Sequence, residues 1–128
     1  MEKEGYGYVV LSVGEVAGVV PYTSFSARSH LFEENPQLLR NFQKAIQKGL
    51  DYVHNHSNSE IAEIIKDQFP DTSFELLEDS IKRYRENDTW PKSTTFTEES
   101  FNHLQDIMID YGELTEKVDF NQLIVQFS

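Results

Sequence analysis

The chain has 128 residues and a formal charge of −11, from 11 basic against 22 acidic side chains. That field repels phosphate, so nucleic acid and anionic membrane surfaces are excluded as expected partners. Cysteine is absent, which removes disulfides, thiolate metal sites and thiol catalysis together. The length is that of one domain able to bury a core without staples. No apolar run approaches the ~20 residues that span a bilayer. The start, "MEKEGYG", lacks the basic, apolar and small-residue regions of a signal peptide, so export of the chain as written is not expected.

In chain order, Tyr6–Val13 ("YGYVVLSV") is β-branched and aromatic and reads as a strand ended by Gly14. Val19–Ala27 ("VVPYTSFSA") reads as a second extended segment. Pro21 has no N–H for a ladder and belongs at a strand start or edge. Asn35 and Pro36 then open the clearest helix, as cap and first-turn residue. Leu39, Phe42, Ile46, Leu50 and Val53 recur at three and four and give it one apolar face. Ala45 and Gly49 lie beside that face, and small residues there would admit a closely packed neighbour.

Ser57 and Glu60 have the spacing of a capping box. Ile61, Ile64, Ile65 and Phe69 form the expected buried stripe, and Pro70 the stop. A third helix follows, with Thr72 and Glu75 as a second box and Phe74, Leu77, Ile81 and Tyr84 inward. Lys82, Arg83 and Arg85 crowd its last turns, where the dipole favours cations. "NDTWPKSTTF" is a loop. Thr97 caps a fourth helix with Phe101, Leu104, Met108 and Tyr111 inward, and Gly112 stops it. The tail "VDFNQLIVQFS" is apolar but too short for its period to choose helix or strand.

The chemistry-bearing residues are weak signals. His54 and His56 stand two apart in "HNHSN"; without a third ligand they read as a solvated interhelix turn rather than a metal site. Carboxylate pairs such as Glu98 and Glu99 suit helix starts and polar faces, not a cleft with separated pKa values. Gly14 and Gly18 lack the G-K-[ST] of a phosphate loop. Trp90, the single tryptophan, reads as packing for a long loop before it reads as a ligand contact. No catalytic, metal or cofactor-binding residue is expected. Two strands alone are marginal in water, so the front of the chain is expected to complete a sheet contributed from elsewhere.

The run "GEVAGVVPYTSF" followed by "NPQLLRNFQKAIQKGLDYV", then "SNSEIAEIIKDQFPDTSFELLEDSIKRYRENDTW" and "SFNHLQDIMIDYGEL", resembles the later part of ABC-importer solute-binding proteins. The nearest patterns are those for thiamine pyrimidine precursors, aliphatic sulfonates, taurine and nitrate. The resemblance covers about Tyr6 to Phe127. It implies an α/β class: part of a type II periplasmic-binding fold, mainly helices with two N-terminal strands. It implies residues 1–28 as hinge and strands, and 29–128 as the helical portion returning to the first lobe. It places Glu15, Tyr22 and Thr23 near the hinge or cleft as ligand-binding candidates.

The function implied is the substrate-binding component, or a C-terminal piece of one, of an importer for a small organic solute. The solute would be captured by cleft closure and delivered to a membrane permease, with no covalent chemistry. The full-length family is extracytoplasmic and membrane-anchored, as a lipoprotein. The amino-terminal half of the family's chain is not in this sequence. The alternative is a non-transporting homologue that self-associates as a homodimer through its N-terminal strands.

Overall fold

The computed structural model describes residues 5–8, 10–11 and 13–127, without the side chain of Glu15. Its helices are α1 (Val13–Ala17), α2 (Ser29–Glu34), α3 (Pro36–Asn55), α4 (Asn58–Ile65), α5 (Phe74–Glu86), α6 (Glu98–Asp110) and α7 (Phe120–Leu123), with a 3-10 turn over Lys66–Gln68. Two compact units divide them: Met1–Ser24 with Phe96–Val125, and Phe25–Thr95 with Gln126–Ser128.

The α/β expectation is corrected. Among the described residues there is no strand and no sheet. Of the first expected strand, residues 9 and 12 lie outside the described set and Val13 belongs to α1, as does Gly14, its expected stop. The second, Val19–Ala27, has no ladder bonds. A strand exists only as a pair, because each extended backbone needs facing donors and acceptors. Among the described residues neither segment has such a partner. β-Branched composition therefore gives apolar, solvent-facing chain, with Tyr22 96% exposed and Phe25 75% exposed.

In the larger unit the helix starts follow local chemistry. The Asn35 side chain accepts from the Leu38 amide at 3.2 Å, with Pro36 in the first turn. Ser57 and Glu60 close a reciprocal box: the Glu60 amide donates to Ser57 Oγ at 3.2 Å, and the Ser57 amide donates to Glu60 Oε2 at 2.8 Å. Those bonds, the hydroxyl first, hold the Glu60 carboxyl below its ordinary pKa. The third cap is displaced by one residue from expectation. Ser73, not Thr72, accepts from the Leu76 amide at 3.3 Å.

The core of this unit is Ile61 and Ala62 of α4 against Leu77 and Ile81 of α5. Tyr52 and Val53 of α3, Ile65 and Trp90 pack around it. Burying each large aliphatic side chain contributes about 1.5–3 kcal/mol. Ile64, expected inward, is 63% exposed, and Phe69, Phe74 and Tyr84 are also exposed. The buried stripe runs through Ala62 instead, because the small side chain lets α4 and α5 approach. None of the α3 residues is buried. The expected close neighbour at Gly49 is missing too: a Cβ there would meet nothing within 4 Å.

In the smaller unit Thr97 caps α6, accepting from the Ser100 amide at 3.2 Å. Gly112 ends the helix at φ +77°, a conformation glycine adopts without strain. Phe96, Phe101 and Phe120 form an aromatic trio with ring centroids 5.6–6.4 Å apart. Tyr111, expected inward, is 83% exposed. Gln105 is buried in its place and clamps Val118: its Nε2 donates to the Val118 carbonyl at 3.2 Å, and the Val118 amide donates to Oε1 at 2.7 Å. His103 Nε2 meets the Ala17 carbonyl at 2.7 Å. A carbonyl only accepts, so that nitrogen carries the proton and closes the end of α1.

Candidate functional site

Within the larger unit, the C-terminal ends of α3 and α5 converge with the loop after α5. A recess of about 200 Å³ lies there, lined by His54, Arg85, Asp88, Trp90 and Lys92. Each lining residue has a local reason for its place. His54 sits in the last turn of α3 and its Nε2 donates to the Pro91 carbonyl at 3.1 Å. Arg85, in the last turn of α5, donates through Nη2 to the carbonyls of both Val53 and His56. The negative end of α3 is thus closed by a cation from another helix.

Asp88 follows α5 at φ 49°, the one non-glycine residue with positive φ among those described. Aspartate tolerates this conformation better than most residues. Two main-chain bonds set the turn, from the Asp88 amide to the Arg85 carbonyl at 3.0 Å and from the Thr89 amide to the Tyr84 carbonyl at 2.9 Å. Trp90 is half-buried on the core, its ring edge-on to Tyr84 at 5.4 Å.

Two glutamines lay the loop along α3. Gln47 Nε2 donates to the Lys92 carbonyl at 3.0 Å, and Gln47 Oε1 accepts from the Thr94 amide at 3.0 Å. Gln43 Nε2 donates to Thr94 Oγ1 at 3.2 Å. These bonds hold the main chain of the loop at Lys92 and Thr94 against α3. The side chains of Asp88 and Lys92 make no hydrogen bond or ion pair among the described residues, so both charges are open to a solute.

The recess does not contain the residues expected from sequence. Glu15 lies in α1, its side chain outside the described set. Tyr22 and Thr23 lie in the exposed connection between α1 and α2. All three belong to the smaller unit, and the recess to the larger. What sequence reasoning missed was the role of Gln43 and Gln47, which their spacing of four places as neighbours on the helix surface and which both bond the loop.

Other chemistry is sparse. His56 stacks on Tyr52 at 3.6 Å between centroids, and its Nδ1 donates to the Tyr52 carbonyl at 2.9 Å. Among the described residues no three His, Cys, Asp or Glu side chains gather as a metal site. None of the described helices is long and apolar enough to cross a membrane.

Over 123 residues the chain is 39% identical to "Putative binding protein YtlA" of Bacillus subtilis (strain 168). The match covers 96% of this chain. The chain spans 37% of the length of that relative. No family model matches the chain, and no solved structure matches it.

Proposed function

We propose that this chain is part of a binding protein for a small organic solute, the substrate-binding component of an ABC importer. The observation that carries the reading is the likeness to a relative named as a binding protein across nearly the whole chain. The ordered motifs from Gly14 to Leu114 support it. In this reading the protein catalyses no covalent step. It captures solute outside the cytoplasm, where the full-length protein is held at the membrane, and passes it to a permease. A thiamine pyrimidine precursor or a sulfonate is the solute class favoured by the resemblance.

Calorimetric titration with hydroxymethylpyrimidine compounds, aliphatic sulfonates, taurine and nitrate tests this, on the chain and on any longer polypeptide that carries it. Saturable heat with one class is expected. No heat and no thermal shift with any of them would overturn the reading.

A second reading is favoured by the exposed apolar segment at the front. Tyr8, Val10, Val13, Val19 and Tyr22 are all exposed, and a run of exposed apolar side chains is a candidate for burial by a partner. In this reading a homodimer covers that segment. Light scattering at micromolar concentration decides it: a dimer supports self-association, and a folded monomer excludes it.

A further inference from the structure

We propose that α2 is a conditional helix, folded while the ring of Phe127 is seated against Phe32 and Arg40, so that the residues after α7 latch an order–disorder switch. The inference is independent of what the chain binds. Local chemistry does not hold α2. It has six residues, about half of the ~12–15 below which an isolated helix is marginal in water. Its N-cap position is Arg28, which makes no side-chain cap bond. The charges at both ends oppose the helix dipole: a cation stands at the start, and Glu33 and Glu34 occupy a last turn that holds no basic residue. None of its residues is buried, so core burial does not offset these costs.

The contact that anchors it is aromatic. The Phe127 ring stacks on Phe32, with centroids 6.2 Å apart and 16° between the planes. The Arg40 guanidinium, on α3, stands over the same ring at 4.9 Å. Phe127 therefore bridges α2 to α3. The segment just before α2 has a further clasp, Phe25 edge-on to Phe42 at 4.9 Å, but Phe25 is 75% exposed and excludes little water.

Asn35 lets α2 melt without disturbing α3. Its amide donates to the Leu31 carbonyl at 3.0 Å and ends α2. Its side chain accepts from the Leu38 amide at 3.2 Å and caps α3. The two bonds use different groups, so loss of the first leaves the second in place. The buried cluster of α4 and α5 contains no residue of α2. One aromatic pair and one cation–π contact favour the seated state by roughly five- to seventyfold. The released state is then minor but populated, the range in which a partner shifts an equilibrium. A partner that takes up the Phe127 ring melts α2.

Amide hydrogen exchange on the 128-residue chain, resolved residue by residue by NMR, tests this. The Leu31 and Asn35 amides, bonded to the Arg28 and Leu31 carbonyls, report on α2. Leu38 reports on the cap of α3 and Ile81 on the core. Phe127→Ala should speed exchange at Leu31 and Asn35 about tenfold and leave Leu38 and Ile81 unchanged. Adding Arg28→Asp should restore protection in the Phe127→Ala background, because Arg28 is exposed and aspartate supplies both a cap and the favourable charge. Unchanged exchange at Leu31 and Asn35 in Phe127→Ala would overturn the proposal. Equal acceleration at Ile81 would also overturn it, by making the tail part of the global fold rather than a local latch. A double variant no slower than Phe127→Ala would overturn it as well, since the ends of α2 would then not limit its stability.

Discussion

Arg85 and Val53 are joined by a hydrogen bond that closes a helix to which Arg85 does not belong. The guanidinium also reaches the His56 carbonyl, so one side chain serves two orphan acceptors at the end of α3. Hydrogen bonds to a charged group contribute roughly 1.5–3 kcal/mol. Arg85→Met should therefore destabilise the chain by about 2 kcal/mol, read as the shift in urea midpoint. Arg85→Lys should recover only part of it, because an ammonium lacks the planar fork. A midpoint unchanged by Arg85→Met would show that solvent satisfies these carbonyls equally well.

Gly49 offers a change in the opposite direction. It lies inside α3 with open space where a Cβ would go. Gly49→Ala should stabilise the chain by about 0.5–1 kcal/mol, through lower entropy of the unfolded state and better helix propensity. Thermal denaturation checks it. Destabilisation would mean that the position is in close contact with something the chain itself does not supply.

The Ser57–Glu60 box should make stability depend on pH. The Glu60 carboxyl is held below its ordinary pKa by the Ser57 hydroxyl and amide. A depressed folded pKa contributes stability above the unfolded value and loses it as pH falls through the folded one. Urea midpoints taken from neutral to acid pH should fall below the ordinary carboxylate range, and Glu60→Gln should flatten that part of the curve. Ser57→Ala should cost about 1 kcal/mol at neutral pH. Parallel wild-type and Glu60→Gln curves would exclude this contribution.

Side-chain truncation separates two isoleucines that sequence periodicity treats alike. Ile81 is buried in the core, and Ile64 is mostly exposed. Ile81→Ala should cost about 2–5 kcal/mol, whereas Ile64→Ala should stay near 0.5 kcal/mol or less. Equal losses would mean that Ile64 is covered in solution, and would direct attention to that face of α4.

Gln105→Leu tests the clamp on Val118. It leaves both main-chain groups of Val118 without their side-chain partner, at a cost of about 1–3 kcal/mol. Hydrogen exchange at the Val118 amide is the direct readout, and it should accelerate. Unaltered protection there would show that the amide is covered some other way.

Much of the helical framework was legible from residue type and spacing. Asn35, Ser57, Thr97 and Gly112 mark helix ends because each answers a local need of the backbone. Leu77, Ile81 and Phe101 were legible as core from their period. Ile64, Phe74 and Tyr111 were not excluded by the same period, because an apolar stripe is wider than the contact that covers it. The recess was least legible. Arg85 reads as a cation for its own helix end, and only the tertiary structure brings it to the carbonyls of Val53 and His56.

The sequence by itself determined the starts of α3, α4 and α6 and the stop after α6, through caps, proline and glycine acting within a few residues. It also determined the acidity that repels nucleic acid and the absence of thiol chemistry. Only the tertiary structure decided the fate of the β-branched front segment, since a strand needs a distant partner that composition does not reveal. The tertiary structure likewise brought Asp88, Trp90 and Lys92 to the end of α3. Their meeting depends on Gln43 and Gln47 reaching a loop more than forty residues away, and contacts of that range are set by packing rather than by neighbours in the chain.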